Sequence, residues 1–298
     1  MKFCLGTVQF GMKYGINNQK RPDVNESLII LDYAVHNGIN AIDTARAYGD
    51  AENITGKFIR KKSISRKELF ISTKLMPNIL DDIPAEKYQD KILSELKEQL
   101  DTLGTDYVDV YLLHSSRYAK NPAILDALKV IKKEGLARNV GVSVYEPDEA
   151  LSCMGHPGMD FMQLPYSVFD HRMSDNGIFE TAGNKSFCVA SRSAFIQGLI
   201  TMNENEVPSY LRKAVPILRK LDKLSKNTGL SRIELAIGYV KRQKAISYLV
   251  FGVDNIDQLK ENIEVFGKDM DDEICRLIDN EFAGIEADIV MPSLWKKD

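Results

Sequence analysis

The chain has 298 residues, of which 44% are hydrophobic and 27% are charged, and its formal net charge is −3. This composition allows a large buried core, and the weak net charge without a long basic run argues against nucleic acid or an anionic membrane as the main partner. No apolar stretch approaches the roughly 18 residues of a transmembrane helix, and the N-terminal MKFCLGTVQFGMKYG lacks the apolar segment of a signal peptide. We therefore expect a cytoplasmic protein.

The cysteines and histidines indicate neither a disulfide framework nor a metal site. The cysteines are far apart, no CxxC motif occurs, and Cys4 and Cys188 fall inside strand-like runs. Such thiols are expected to be reduced and mostly buried. No two histidines stand at metal-ligand spacing, so we expect no bound metal.

Short apolar runs rich in β-branched residues alternate with longer segments of helical periodicity along the chain. Several of these runs are continuous rather than alternating, as expected for parallel strands that are buried on both faces. The predicted strands are residues 2–7, 40–44, 69–74, 108–114, 137–144, 161–166, 187–193 and 247–253.

The segments between these strands carry signals typical of helices. Apolar side chains recur every three or four positions in residues 86–103 and again in residues 256–266. Ser231 and Glu234 form a capping-box pattern, which predicts a helix beginning there. Gly104 follows a helical run, where a left-handed cap is most easily adopted by glycine.

Eight successive β-then-α units predict an α/β fold of the (β/α)8 TIM barrel type. The alternative is an open doubly wound sheet, which usually carries a GxGxxG turn after its first strand. The first strand here leads into GTVQFG, which does not match that turn. No low-complexity linker or exact repeat divides the sequence, so we expect one domain over residues 1–298, with a C-terminal helix and tail in residues 270–298.

Four polar residues stand where predicted strands give way to loops. Asp43 and Lys74 fall at the ends of the second and third predicted strands, and His114 ends the fourth. Tyr48 lies in the loop just after Asp43. Because residues at the carboxyl ends of barrel strands face the active site, these four side chains are expected to converge at one mouth.

Together the four residues suggest a general-acid site that donates a proton to a carbonyl oxygen. A tyrosine with a pKa near 10 is a weak acid, and a lysine cation such as Lys74 is expected to lower that pKa while a carboxylate holds the lysine in place. The phenol of Tyr48 can then protonate a carbonyl oxygen, and His114 can orient that carbonyl. The matching nucleophile is a hydride, which no side chain supplies, so a nicotinamide cofactor is implied.

Each residue alone also has a simpler explanation. Asp43 could cap a helix, Lys74 could be a solvated charge, and His114 and Tyr48 could serve packing alone. Their joint placement after three consecutive predicted strands favours a shared site. A different barrel chemistry, a lyase or isomerase with Lys74 as a Schiff-base amine, is opposed by the neighbouring Asp43, which would keep the lysine charged.

Six motifs occur in a fixed order along the chain: IDTARAYGDAE, STK, YLLH, GVS, QLPYS and FGVDNIDQLKEN. In this order, from about residue 3 to residue 265, the sequence resembles the aldo-keto reductase family. The resemblance implies an oxidoreductase that interconverts a carbonyl (an aldehyde, ketone or sugar) and an alcohol with NADP(H) or NAD(H). It also implies Tyr48 as the acid/base, Lys74 and Asp43 as the groups that tune it, and His114 as the group that orients the substrate.

The resemblance further implies a set of cofactor-binding residues. Ser143 and Gln163 would hold the carboxamide, and the guanidinium of Arg192 would stack on the nicotinamide. Residues after the seventh strand would line the pyrophosphate, and residues of the last motif would bind the adenosine. The full set is Gly6, Thr7, Asp43, Ser143, Gln163, Arg192, Ser193, Phe195, Gln197, Gly198, Gly252, Gln258, Glu261 and Asn262.

Three positions depart from the family pattern. Val144 replaces an asparagine that would contact the carboxamide. Asp254 stands where many relatives carry an arginine near the 2′-phosphate of NADP, and Val253 cannot hydrogen-bond that phosphate. A carboxylate repels a phosphate by about 1 kcal/mol when both are exposed. Both cofactors stay open, with NADP(H) slightly ahead on the family pattern and Lys260 as a candidate phosphate partner.

The substrate and the oligomeric state stay open at this stage. The end of the tail, MPSLW, together with RSAFIQGL after the seventh strand, resembles a subgroup associated with bacterial sugar and surface-polysaccharide metabolism. We therefore expect a small carbonyl or sugar as the partner of the site. The alternative is a nucleotide-binding regulatory protein on the same fold with little turnover.

Overall fold

Eight parallel strands form the centre of the molecule. In the computed structural model, which describes residues 1–16, 21–61 and 64–296, each strand pairs with the next in sequence and the last pairs with the first. The predicted barrel is confirmed, and the closed sheet excludes the doubly wound alternative. Each predicted strand agrees with its observed counterpart within one residue at either end. The strands are β1 (Lys2–Gly6), β2 (Ala41–Asp43), β3 (Phe70–Lys74), β4 (Val108–Leu113), β5 (Ala137–Ser143), β6 (Phe161–Pro165), β7 (Cys188–Arg192) and β8 (Ile246–Gly252).

Helices follow the strands and cover the barrel. The α-helices are α1 (Val8–Gly11), α2 (Val24–His36), α3 (Ala51–Arg60), α4 (Tyr88–Leu103), α5 (Pro122–Lys133), α6 (Pro147–Met154), α7 (Arg172–Asp175), α8 (Ile178–Asn184), α9 (Val215–Thr228), α10 (Arg232–Arg242), α11 (Ile256–Phe266), α12 (Asp272–Glu281) and α13 (Ala287–Val290). Short 3-10 helices lie at Arg66–Glu68, Ala85–Lys87, Ser116–Tyr118, Ile196–Thr201, Glu204–Glu206, Ser209–Ala214 and Pro292–Leu294. The final two residues of the predicted tail lie outside the described residues.

The local helix signals act as the sequence predicts. The segment 86–103 forms α4, although its first turn is a separate 3-10 helix, and Gly104 caps it in the left-handed conformation with φ of 68°. Ser231 and Glu234 form the predicted capping box at the start of α10. These caps satisfy terminal backbone groups that would otherwise lack partners.

The described residues contain no helix that is both long and apolar enough to cross a membrane. The same residues contain no group of three or more histidine, cysteine, aspartate or glutamate side chains placed to hold a metal ion. All four cysteines are free thiols: Cys4, Cys153 and Cys275 are buried, and Cys188 is partly buried.

The register of the barrel brings several strand ends to one level. Gly6 pairs with Asp43 on one side and with Gly252 on the other, and Ser143 pairs with Gln163. At β5 the fit is tight, because a Cβ on Gly141 would lie 1.7 Å from the carbonyl oxygen of a residue on β6. Only glycine allows the two strands to approach this closely.

Replacing Gly141 by alanine therefore tests the packing of the barrel. We expect Gly141→Ala to lower the free energy of unfolding by about 1–3 kcal/mol, because the added methyl group forces β5 and β6 apart. Gly183→Ala is the control, since an added Cβ there meets no atom within 4 Å, and it should leave stability unchanged or raise it slightly. Urea denaturation measures both. Equal losses in the two variants would contradict the close approach at Gly141.

Candidate active site

A buried ion pair joins the ends of β2 and β3. Lys74 Nζ lies 2.7 Å from Asp43 Oδ2 and also donates to the carbonyl oxygen of Thr44 at 2.9 Å. The Lys74 side chain is fully buried, and Asp43 is 3% exposed. Asp43 is therefore not a helix cap and Lys74 is not a solvated charge. Two charges held out of water in this way depend on each other and on their hydrogen bonds.

Asp43 is held from other strands as well. Gln163 Nε2, on β6, donates to Asp43 Oδ1 at 2.9 Å. Thr7, which follows β1, donates its backbone N–H and its hydroxyl to the carbonyl oxygen of Asp43 at 2.9 and 3.1 Å. Lys74 and Gln163 therefore fix the carboxylate of Asp43, and Thr7 fixes its backbone.

Tyr48 lies beside the ion pair, as the sequence predicts. The centroid of its ring is 5.0 Å from Lys74 Nζ. The ring also meets the ring of His114 edge to face, with the centroids 5.7 Å apart. The structure thus brings Asp43, Tyr48, Lys74 and His114 together at the carboxyl ends of the strands.

Gly11 positions the loop that carries Tyr48, a role that was not predicted from the sequence. A Cβ on Gly11 would lie 1.6 Å from the carbonyl oxygen of Tyr48. The end of α1 therefore contacts the backbone of this loop directly, at a distance that only glycine permits. The signal in the sequence is the last residue of GTVQFG, a segment that by itself indicates only the absence of a GxGxxG dinucleotide-binding turn.

Burial raises the pKa of Tyr48 above its ordinary value, the Asp43 carboxylate raises it further, and the Arg192 cation opposes them. The expectation that this pKa is lowered beside Lys74 is wrong in its net direction, because desolvation of the phenolate outweighs the effect of the lysine charge, which is paired with Asp43. The phenol is consequently protonated at neutral pH. A protonated phenol beside a cation is suited to donating a proton rather than accepting one.

Burial also controls the ionisation of His114. It lowers the pKa of the imidazole to about 3, and the cations of Lys74 and Arg192 contribute to the decrease. The ring is neutral at physiological pH and offers one hydrogen-bond donor and one acceptor. Its Nδ1 atom is buried and has no hydrogen-bond partner within the described part of the chain.

A cavity of about 460 Å³ opens beside Asp43 and Tyr48. Two of the predicted cofactor-binding residues are not among those that line it: Thr7 is fully buried, with its hydroxyl donating to the backbone carbonyl oxygen of Asp43, and Ser143 is 3% exposed. The other predicted residues do line it, and they are Gly6, Asp43, Gln163, Arg192, Ser193, Phe195, Gln197, Gly198, Gly252, Gln258, Glu261 and Asn262.

The segment after β7 forms one wall of this cavity in an unusual conformation. Ser193, Ile196 and Gln197 have positive φ angles of 65°, 47° and 54°. Such angles in non-glycine residues cost free energy, and they cluster at ligand sites where the surroundings hold them. The carbonyl oxygen of Gln197 accepts a hydrogen bond from the backbone N–H of Ile16 at 3.0 Å. This bond ties the wall to the loop after α1.

Arg192 is held at the chemical end of the cavity by residues that follow β5. Its guanidinium carbon lies 4.1 Å from the centroid of the Tyr145 ring. It donates to the carbonyl oxygen of Val144 at 3.0 Å and to Ser193 Oγ at 3.2 Å. The side chain of Val144 is buried in the core, so its backbone, not its side chain, contributes here. No pattern in the sequence marked Tyr145.

Acidic side chains also line the cavity. They belong to Glu206, Asp254 and Glu261, and burial raises the pKa of Asp254. Within the described residues, Arg192 is the one basic side chain on the cavity wall. Lys260 does not reach the wall and lies 3.3 Å from an exposed aspartate on its own helix.

This chain is similar to known proteins of one family. The family model described as "Aldo/keto reductase family" matches residues 2–280. The Bacillus subtilis protein named "Uncharacterized oxidoreductase YqkF" is 29% identical over 258 residues, which cover 80% of this chain and 82% of the relative. The Escherichia coli "NADH-specific methylglyoxal reductase" is 24% identical over 269 residues, covering 79% and 81%. The holo form of aldo-keto reductase AKR11C1 from Bacillus halodurans has the same fold, with a TM-score of 0.77 at 19% identity over 98% of this chain and 95% of that one.

The depressed pKa of His114 makes stability depend on pH. Between the ordinary histidine pKa of about 6.5 and the folded pKa of about 3, His114 binds a proton in the unfolded chain but not in the folded protein. The free energy of unfolding therefore falls as the pH falls through this range. At pH 5 this loss is about 2 kcal/mol for the wild type. His114→Gln removes it, whereas His36→Gln, at an exposed position on α2, should behave like the wild type. Urea denaturation at pH 7.5 and pH 5 measures the difference. The same pH-dependent loss in all three proteins would show that folded His114 is not held neutral.

Proposed function

Since this chain belongs to the aldo/keto reductase family, whose oxidoreductases interconvert carbonyls and alcohols, we propose that it reduces a small carbonyl compound with Tyr48 as the proton donor and NADH as the preferred cofactor. The observation that carries the proposal is the buried Asp43–Lys74 pair beside a protonated Tyr48, at one end of a deep cavity. The substrate class is a small aldehyde, ketone or sugar.

The cavity supports binding of a nicotinamide dinucleotide. Gln9 and Gln197 line it, and each has a buried amide oxygen without a hydrogen-bond partner in the described residues. Gly252 lets the Gln9 side chain pack close to its backbone, since a Cβ there would lie 2.2 Å from the Gln9 amide oxygen. Unpaired buried amide oxygens are features that a polar ligand satisfies. When bound, the reduced nicotinamide supplies the hydride for carbonyl reduction.

The protein's own residues supply the proton. Tyr48 donates its phenolic proton to the carbonyl oxygen as negative charge develops there, and its raised pKa keeps that proton in place beforehand. The Lys74 ammonium, 5.0 Å from the ring centroid, stabilises the phenolate that remains. Asp43 holds the lysine in this position. The neutral imidazole of His114 can donate a hydrogen bond to the carbonyl oxygen and orient it.

The surroundings of Lys74 oppose the Schiff-base alternative. Its amine is fully buried and donates to both Asp43 and the carbonyl oxygen of Thr44. A nucleophilic amine must be neutral and reachable by a carbonyl carbon. The geometry therefore favours Lys74 as an electrostatic partner of Tyr48 over Lys74 as a nucleophile.

Electrostatics favour NADH over NADPH. By the family resemblance the adenosine lies near Gln258, Glu261 and Asn262, and the carboxylates of Glu206 and Asp254 line the same cavity. No basic side chain among the described lining residues is available there, because Arg192 lies at the chemical end beside Tyr145. The extra 2′-phosphate of NADPH would meet negative charge, and the described lining residues place no cation there to offset that charge. This reverses the slight preference for NADP(H) drawn from the family pattern.

Tyr48→Phe tests the proton donor. We expect kcat/KM for aldehyde reduction to fall by about 10²- to 10⁴-fold because the phenolic proton is lost, while NADH binding stays nearly unchanged. The assay follows NADH oxidation with methylglyoxal, simple aldehydes and aldoses, and NADH fluorescence measures binding. Tyr88→Phe, at the first position of α4, is the control and should keep full activity.

Turnover by Tyr48→Phe at the wild-type rate would show that another group donates the proton. Tight binding of NADH by the wild type, without turnover of any carbonyl in the panel, would instead favour a nucleotide-binding regulatory role. The two outcomes are separable because binding and turnover are measured on the same protein.

Titration with both dinucleotides tests the cofactor preference. We expect the wild type to bind NADH at least about fivefold more tightly than NADPH, since roughly 1 kcal/mol of repulsion acts on the extra phosphate. Asp254→Asn should bring the Kd values for NADPH and NADH closer together. Asp257→Asn, at a nearby side chain that is 86% exposed and off the cavity wall, should leave the ratio unchanged. Tighter binding of NADPH by the wild type would contradict the assignment.

A further inference from the structure

A buried polar network lies on the helix side of β3, behind the Asp43–Lys74 pair. We call it the Glu52 network. At its centre Glu52, in the first turn of α3, is 2% exposed. Its Oε1 atom accepts hydrogen bonds from Thr73 Oγ1 at 2.7 Å and from Gln99 Nε2 at 2.6 Å. The network consists of Arg46, Glu52, Thr73, Gln99 and Tyr111.

Gln99 connects this carboxylate to the backbone of the catalytic lysine. Its Nε2 also donates to the carbonyl oxygen of Lys74 at 3.1 Å. Its Oε1 accepts from the hydroxyl of Tyr111 at 3.1 Å. Because the amide oxygen faces Tyr111, the amide nitrogen must face Glu52 and Lys74. Gln99 therefore holds the end of β3, and hydrogen bonds at both its amide nitrogen and its amide oxygen fix its own orientation.

Arg46 connects the network to the loop that carries Tyr48. Its Nη1 atom lies 3.7 Å from Glu52 Oε2. Its backbone N–H points to the carbonyl oxygen of Lys74 at 3.4 Å. Arg46 stands two positions before Tyr48 in the chain. Glu52 is thus linked to both groups whose separation matters, Lys74 and Tyr48. It reaches the strand end of Lys74 through Thr73 and Gln99. It reaches the Tyr48 loop through Arg46.

The free-energy cost of this arrangement indicates a role beyond packing. Burial raises the pKa of Glu52, and hydrogen bonds from Thr73 and Gln99 and the charge of Arg46 act against that shift. Well-packed apolar residues in place of a buried ion pair are often equally or more stabilising. A carboxylate that accepts directional bonds from separate elements instead defines their relative positions.

We propose that Glu52 is a positioning residue that holds the Lys74 strand end and the Tyr48 loop at the separation needed for proton donation. The proposal rests on the proposed role of Tyr48. Glu52 touches neither substrate nor cofactor and acts through Arg46, Thr73 and Gln99. Its loss should therefore impair the chemical step and leave ligand binding intact.

The test substitution is Glu52→Gln, which keeps the side-chain shape. Its amide oxygen can still accept from Thr73 and Gln99, but its NH2 group faces Arg46, so the ion pair is lost. We expect kcat to fall at least about tenfold, since displacements of about 1 Å have large effects on rate. The KM for the carbonyl and the Kd for NADH should stay within about twofold.

Glu98→Gln is the matched control. Glu98 lies on α4 next to Gln99, its side chain is 59% exposed, and it contacts the other guanidinium nitrogen of Arg46 at 3.2 Å. The substitution removes a second carboxylate from the same arginine without touching the buried network. We expect kcat to stay at the wild-type value. An equal fall in kcat for Glu98→Gln and Glu52→Gln would overturn the proposal.

A double-mutant cycle with Tyr48→Phe separates positioning from general structural damage. If Glu52 acts through Tyr48, adding Glu52→Gln to Tyr48→Phe should not lower the residual turnover further. If Glu52 only supports the fold, the two losses should multiply. If the fold-losses in kcat of the two single variants multiply in the double variant, the proposal is overturned, even when Glu52→Gln alone lowers kcat.

Thr73 offers a second route if Glu52→Gln does not fold. Thr73→Val removes the hydroxyl that donates to Glu52 and should lower kcat, and Thr73→Ser should restore it. The positioning role would be overturned if Thr73→Val, and Glu52→Gln where it folds, both kept the kcat of the wild type. Full activity in Tyr48→Phe would instead overturn the proposed function, so the two failures are distinguishable.

Discussion

The buried ion pair between Asp43 and Lys74 is the constraint on which the site depends. Removing two charges from water costs several kcal/mol for each ion unless the geometry of the pair and its hydrogen bonds is nearly complete. Here Gln163 and Thr7 complete the surroundings of Asp43, and Thr44 accepts a further hydrogen bond from Lys74. These contacts come from the ends of β1, β2, β3 and β6. The pair can therefore form only when these strands are paired in their native register, which brings their carboxyl ends together. Stability of the barrel mouth and chemistry at the mouth are therefore linked.

Burial also sets the protonation states that the chemistry requires. It raises the pKa of Tyr48 and lowers that of His114, so both rings are neutral at physiological pH. A neutral phenol can donate a proton and a neutral imidazole can donate a hydrogen bond to the same oxygen. The charge of Lys74 remains the stabilising group for the phenolate that proton transfer produces. Arg192 and the carboxylates of Glu206, Asp254 and Glu261 line the cavity beside these rings.

Much of this could be predicted from the sequence, for identifiable reasons. Short apolar runs rich in β-branched residues marked every strand, and polar residues at or just after the strand ends marked Asp43, Tyr48, Lys74 and His114. Gly11 and the Glu52 network were missed because their roles come from contacts between distant segments: Gln99 lies 47 residues from Glu52. The direction of the Tyr48 pKa shift was also mispredicted, since a motif reveals neighbouring charges but not the depth of burial. The resemblance implied Thr7 and Ser143 as cofactor-binding residues, yet both are buried and neither lines the cavity.

The protonation of Tyr48 is the central claim, and an NMR titration tests it most directly. The chain contains 12 tyrosines, so the spectra of protein labelled with 13C at tyrosine Cζ would be compared with those of Tyr48→Phe to assign the Tyr48 signal. We predict that this signal keeps the chemical shift of a neutral phenol beyond pH 10, the ordinary midpoint being about 10. A Tyr48 signal that titrates well below that midpoint would contradict the claim, because the phenol would then be set up as a base rather than held as the proton donor.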